Sequence, residues 1–167
     1  MNKTSSWESN TARIIYESLN KASSLTKRIH RDSSKINVTE LVRILDDAKV
    51  ASIATVKDSG TPHVVPVSFI YYQGIIYVNS NRKSIRFRNH IRNNRVALTI
   101  IGNYGIVIME GKAEVAGKTE ELVKGKVANA FLKKYKRPRR ISEDSFIICI
   151  TPTKILTHKI GTDNKKS

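Results

Sequence analysis

The stretch Val50–Ser80, "VASIATVKDSGTPHVVPVSFIYYQGIIYVNS", decides the fold. "VASIATV" is β-branched and apolar with period-2 character. "KDSG" is turn chemistry, "TPHVVPVSFIYY" a second strand, "QG" a tight turn and "IIYVNS" a third strand. Connections this short join antiparallel neighbours. Pro66 lies inside the second strand and cannot donate to a ladder, so it marks an edge or a bulge. Something other than a neighbouring strand is expected to face it.

Working outward, "RVALTII", a turn at "GNYG" and "IVIMEGKAEVAG" supply two more strands, and "SFIICITPTKILTHKI" a last one. A helix is expected from Thr119 to Tyr135, broken by "KRPRR". Upstream, Leu41, Val42, Ile44 and Leu45 give a short helix one apolar side, with Thr39 as its expected N-cap. The order is helix, three strands, short helix, two strands, helix, strand. Six antiparallel strands with few helices point to a mainly β fold, a small closed or split barrel with peripheral helices. A doubly wound sheet would need crossover helices between its strands, and that alternation is absent.

Residues 1–36 read as an N-terminal helical extension, with Ile15, Leu19, Ala22, Leu25 and Ile29 at steps of three and four on one face. Residues 37–160 form the barrel domain, and residues 161–167, "GTDNKKS", a flexible tail. No apolar run approaches the roughly 20 residues that span a bilayer, and the N-terminus lacks the apolar core of a signal peptide. A single cysteine, Cys149, precludes a disulfide within the chain, and its place in "FIICI" predicts a buried thiol. The chain reads as soluble and cytoplasmic, with no membrane partner.

The formal net charge is +16, which points to an anionic partner. The densest cationic segment follows the third strand: Asn79–Ile100 carries Arg82, Lys83, Arg86, Arg88, Arg92 and Arg95 and no acidic residue. "NSNRK" leads from the strand into a short helix capped by Ser84, with Phe87 and Ile91 four apart on one face. A helix N-terminus presents unpaired N–H groups and positive dipole. Arg82, Lys83 and Arg86 gathered there, with the Ser80 and Ser84 hydroxyls, form a candidate phosphate socket. A charge-assisted hydrogen bond contributes about 1.5–3 kcal/mol, and micromolar binding needs about 8 kcal/mol. Two or three such contacts therefore anchor a phosphate, and the rest must come from burial of a ring against the strand with Pro66. The alternative is a solvated basic helix face formed by Arg86, Arg88, Arg92 and Arg95.

His30, His63, His90 and His158 lack metal-ligand spacing. His63 lies on the second strand near the ring position, where a partly exposed strand histidine is expected. No phosphate-binding glycine loop, dinucleotide fingerprint, paired-carboxylate site or Ser–His–Asp order is present. Such an absence fits chemistry carried by a cofactor.

The segment from Ser52 to Ile100, with "GIVIMEGKAEV" after it and "SFIICITPTKILTHK" as closing strand, resembles the pyridoxamine 5'-phosphate oxidase-like split-barrel flavoproteins. That group includes FMN-binding proteins and reductases dependent on the deazaflavin F420. The ordered features are Gly60-Thr61-Pro62 in the hairpin, Pro66-Val67, a strand ending in a hydroxyl residue, Ser84-Ile85-Arg86, and Asn93-Asn94-Arg95-Val96 before the next strand. The resemblance implies a homodimer with cofactor at the subunit interface and a small-molecule substrate. It implies FMN with its ring along Val65, Pro66, Val67 and Ser68, and Asn79 and Ser80 toward the ribityl chain and phosphate. Hydride exchange would take place at the open ring face. The family's Ser-Arg-Lys phosphate motif falls on Ser84, Ile85 and Arg86, so its middle arginine is missing, and Arg82 or Lys83 would replace that charge. The glutamine that oxidases supply from the second subunit falls on Ile106. These departures speak against oxidation of pyridoxamine phosphate itself. F420, with its polyglutamate tail, is the alternative cofactor that suits the large positive charge. A nucleic-acid-binding or non-catalytic flavin module ranks behind both, because aromatics are not interleaved with the basic runs as single-strand binders require.

Overall fold

In a computed structural model of the chain, residues 5–30, 36–118, 125–136 and 142–159 are described. Six strands, β1 (Val50–Val56), β2 (Pro62–Tyr72), β3 (Ile75–Asn81), β4 (Arg95–Gly102), β5 (Gly105–Lys118) and β6 (Ser145–His158), close into an antiparallel barrel in the order β1-β2-β3-β6-β5-β4. Around it lie α1 (Ser6–Asn20), α2 (Ser24–Ile29), α3 (Val38–Asp47), α4 (Ile85–Arg92) and α5 (Lys126–Tyr135). The six-stranded barrel with peripheral helices expected from the strand order is present.

Strand alternation fills the interior. Ala51, Ile53 and Thr55 of β1, Val96, Leu98 and Ile100 of β4, and Ile76 and Val78 of β3 point inward and are buried. Phe69, Met109, Ile148, Ile150 and Ile155 complete the core. β6 reads as continuously apolar, yet it faces two environments. Ile148 and Ile150 are buried, whereas Cys149 between them is only half-buried, which corrects the expectation of a core thiol. Burial, and then the nearby Glu114 charge, pushes that thiol's pKa up and keeps it protonated.

Two local expectations are corrected. α3 is capped by Asn37, not Thr39. The Asn37 side chain accepts from the Glu40 N–H at 2.9 Å and the Glu40 carboxylate accepts from the Asn37 N–H at 3.1 Å, a reciprocal box that Thr39, already inside the helix, cannot make. The N-terminal apolar stripe is also not continuous. The chain leaves the helix at Lys21, and Ser23 caps a new one, accepting from the Thr26 N–H at 3.2 Å. The buried face of α1 is therefore Thr11, Ile14, Ile15 and Ser18, while Leu25 and Ile29 on α2 remain 54% and 55% exposed. α1 is tied to the barrel by the Ser18 hydroxyl, which accepts from the Ile155 N–H at 2.9 Å. Downstream, α5 begins at Lys126. The expected earlier helical stretch from Thr119, the breaker "KRPRR" and the tail 161–167 lie wholly or largely outside the described residues.

Candidate functional site: the cleft where β2 and β3 part

β2 pairs with β1 along Pro62–Ser68, but with β3 only from Phe69 to Tyr72. β3 continues through Asn79, Ser80 and Asn81, paired on its other side with β6. The two strands therefore fork after the Phe69–Val78 pair, and the barrel is split there.

The direction of the open edge follows from Tyr135 on α5. Its hydroxyl accepts from the Phe69 N–H at 2.9 Å and lies 2.8 Å from the carbonyls of both Phe69 and Lys49. Lys49 immediately precedes β1, so Phe69 turns its backbone groups toward the β1 side, where the phenol extends the ladder past the strand's first residue. Successive residues alternate. Val65 and Val67 thus face β1, and Val64, Pro66 and Ser68 face the fork. Pro66 occupies a position where a missing N–H costs no ladder bond, which is why a proline is tolerated inside an 11-residue strand.

A cavity of about 300 Å³ opens in the fork, lined by Pro66, Val67, Ser68, Asn79, Arg86 and Phe131. α4 fills the space behind it. Ser84 caps the helix, its hydroxyl accepting from the Phe87 N–H at 3.1 Å. Phe87 packs on the core and against Phe146, ring centroids 5.3 Å apart. Asn89 donates to Thr55 Oγ1 at 2.9 Å. So anchored, α4 brings Arg86 to the fork, where Nη2 donates to the Asn79 carbonyl at 2.5 Å. Arg86 Nε is buried with no hydrogen-bond partner among the described residues, and burial pulls the guanidinium's pKa below its ordinary value. A half-buried guanidinium with an under-satisfied Nε beside an open strand edge is arranged to receive an anion.

One turn behind Arg86 lies His90, 4% exposed, with neither ring nitrogen hydrogen-bonded among the described residues. Burial, reinforced by the Arg86 charge, holds its pKa down to about 4, so the ring is neutral at pH 7.

The ten residues singled out from sequence fall into four groups. Pro66, Val67, Ser68, Asn79 and Arg86 line the cavity. Val65, half-buried, packs against the core from the inner face of β2. Ser80 is 1% exposed and lies 3.3 Å, hydroxyl to hydroxyl, from Ser84 at the helix cap. Arg82 and Lys83 are turned to Asp144, just before β6, each at 2.5 Å. The Lys83 hydrogen bond and then that of Arg82 hold the Asp144 carboxyl below its usual range. Phe131 and Tyr135 were not anticipated as parts of the site. Their spacing of four marks one apolar helix face, but nothing local says which strand that face covers. His63 sits on β2 with Nδ1 3.4 Å from Thr55 Oγ1 and does not line the cavity. Among the described residues, no group of His, Cys, Asp and Glu could hold a metal ion, and no helix is long and apolar enough to cross a membrane.

Known structures share this architecture. An F420 reductase superposes with a TM-score of 0.56 at 23% identity, covering 68% of this chain and 93% of its own. An FAD-binding protein from Mesorhizobium loti gives 0.58 at 20% identity, over 75% and 96%. General Stress Protein 26 from Bacillus anthracis gives 0.55 at 18%, over 81% and 97%. At such identities the likeness carries the fold alone. No curated protein matches the sequence. The family model described as pyridoxamine 5'-phosphate oxidase matches residues 38–159, from the start of α3 to the end of β6, and so takes in the forked strands, α4 and the closing strand together. The chain belongs to the pyridoxamine 5'-phosphate oxidase family.

Proposed function

We propose that the chain is a flavoprotein oxidoreductase that binds FMN in the fork between β2 and β3 and acts on a small-molecule substrate. The observation that carries the reading is Arg86: a half-buried guanidinium with a buried, unpaired Nε, lining a cavity whose other wall is a strand edge. The residues present fit the group. Val64, Pro66 and Ser68 direct backbone groups to the fork and can bond the edge of a planar heterocycle. Val67 and Phe131 exclude water from one side. Arg86 and the capped start of α4 take the phosphate. When bound, FMN supplies a two-electron, hydride-exchanging ring system, and the protein's task is to position it.

A second copy of the chain is the proposed partner. Outward-facing Val50, Val64 and Ile101 on adjacent β1, β2 and β4 are 50%, 60% and 63% exposed. Val50 and Ile101 are neighbours across β1 and β4, and Val64 lies four residues farther along the same outer face; exposed apolar side chains of this kind are what subunit contacts cover. Ile85 is 43% exposed and does not line the cavity, so the site carries one arginine where two charges would grip a phosphate. This supports a flavoprotein reading other than pyridoxamine phosphate oxidation.

The test is the visible spectrum of purified protein before and after FMN addition, followed by titration with Arg86→Ala. Saturable micromolar FMN binding that weakens at least tenfold in the variant is expected. Colourless protein that takes up no flavin would sink the reading. The net charge of +16 favours a second version in which the anion is the longer tail of F420. Direct competition between FMN and F420, read by fluorescence, separates the two.

A further inference from the structure

A larger cavity, about 710 Å³, lies on the opposite side of α5 from the fork, between α1, α3, α5 and the β2–β3 turn. We propose that it is a second small-molecule site, for a planar aromatic compound bearing an anionic group. Its volume falls in the range of ligand pockets.

One wall is aromatic. Trp7 meets Tyr71 edge to face, ring centroids 6.3 Å apart, and Tyr72 continues the wall. The Tyr71 hydroxyl is already engaged, 3.1 Å from Thr11 Oγ1, so these rings are held in place and offer apolar surface. Cationic side chains share the lining. Lys49, Lys133, Lys134 and Lys136 line the cavity against one carboxylate, Asp46. None of the four lysines makes an ion pair among the described residues. Lys49 donates to the Lys134 carbonyl at 3.1 Å and Lys134 to the Leu45 carbonyl at 2.7 Å, which orders both stems without neutralising either charge. Lys134 also sits 3.6 Å above the Phe69 ring. Burial pushes its pKa down to about 8, with Asp46 and then Asp47 opposing and Lys49 reinforcing that shift. A ligand carboxylate or phosphate between these lysines would restore the missing counter-charge, while its ring lay against Trp7 and Tyr72.

The site would be linked to the fork by α5, which presents Lys134 to one cavity and Phe131 to the other. The proposal does not depend on flavin binding, because no residue lines both cavities.

Trp7 is the chain's single tryptophan, so its fluorescence reports this cavity directly. The protein is titrated with 2-naphthoate and with the neutral 2-naphthalenemethanol. Saturable quenching by the naphthoate at submillimolar concentration, at least tenfold weaker with the alcohol, is expected. The double variant Lys133→Ala, Lys136→Ala, both exposed and outside the core, should raise the naphthoate Kd at least tenfold. Arg86→Ala should leave it unchanged. Linear, non-saturating quenching, equal affinity for the alcohol, or indifference to the lysine substitutions would each overturn the proposal. Calorimetric titration of Trp7→Phe provides an independent readout, and heat unchanged in the lysine double variant would likewise overturn it.

Discussion

Two arginines four positions apart differ in what each can do. Arg86 is half-buried with an unpaired Nε, and Arg82 is exposed and paired with Asp144. A charge-assisted bond contributes about 1.5–3 kcal/mol, so Arg86→Ala should weaken flavin binding roughly 10- to 150-fold, at about 1.4 kcal/mol per tenfold. Arg82→Ala should shift the same titration less than about fivefold, because an exposed ion pair contributes about 0–1 kcal/mol. Equal effects would return Arg82 to the socket. His90 supplies a pH test. Its folded pKa near 4 lies below the unfolded value of 6.5. Between these values the unfolded chain binds the extra proton, so stability is full above pH 6.5 and is lost as pH falls toward 4. The loss should reach up to about 3 kcal/mol at 1.36 kcal/mol per unit. His90→Phe should flatten this slope in urea melts taken from pH 7 to 4. Basic character at these positions was legible in the sequence. Which cation is buried was not, since that depends on α4's rotation against β1 and β3.

Helices are tied to the barrel by individual side-chain hydroxyls. The Tyr135 hydroxyl takes the Phe69 N–H at the end of the β2–β3 pairing. Tyr135→Phe leaves that amide unpaired and should cost about 1–3 kcal/mol, the penalty for a buried orphan donor. Faster hydrogen exchange at Phe69 than at Tyr71 would locate the damage, and unchanged exchange would refute the strand-extension role. Ser18→Ala should cost a similar amount by orphaning the Ile155 N–H, read as a lowered denaturation midpoint. Strand alternation and turn chemistry made most elements legible. The split of the N-terminal stripe into α1 and α2 was not, because periodicity continues across Lys21–Ser23 although the backbone does not. Likewise Asn37 displaced Thr39 as cap because the Glu40 partner, three residues on, rewards that one position.

At the scale of the molecule, closure depends on β5 meeting β6. A register shift falls at Glu110/Gly111, and a Cβ on Gly111 would lie 2.6 Å from the Thr151 carbonyl oxygen. The contact is with backbone, so neither side can yield cheaply. Gly111→Ala should destabilise by about 1–3 kcal/mol, a thermal midpoint lower by about 2–4 °C per kcal/mol for a chain of this size. An unchanged midpoint would mean that the two strands are free to separate.

The sequence by itself determined the strands, their antiparallel order and the location of a basic strand-to-helix junction, because side-chain period, turn residues and caps act over a few positions. It also marked Pro66 as a residue facing something other than a strand. Only the tertiary structure decided that β2 and β3 part at Phe69 and that Arg86 rather than Arg82 or Lys83 enters the gap. It alone brought the lysines of α5 and Trp7 to the lining of one second cavity. These outcomes depend on contacts between residues dozens of positions apart, such as Tyr135 with Phe69 and Asp144 with Arg82, whose energies no local pattern encodes.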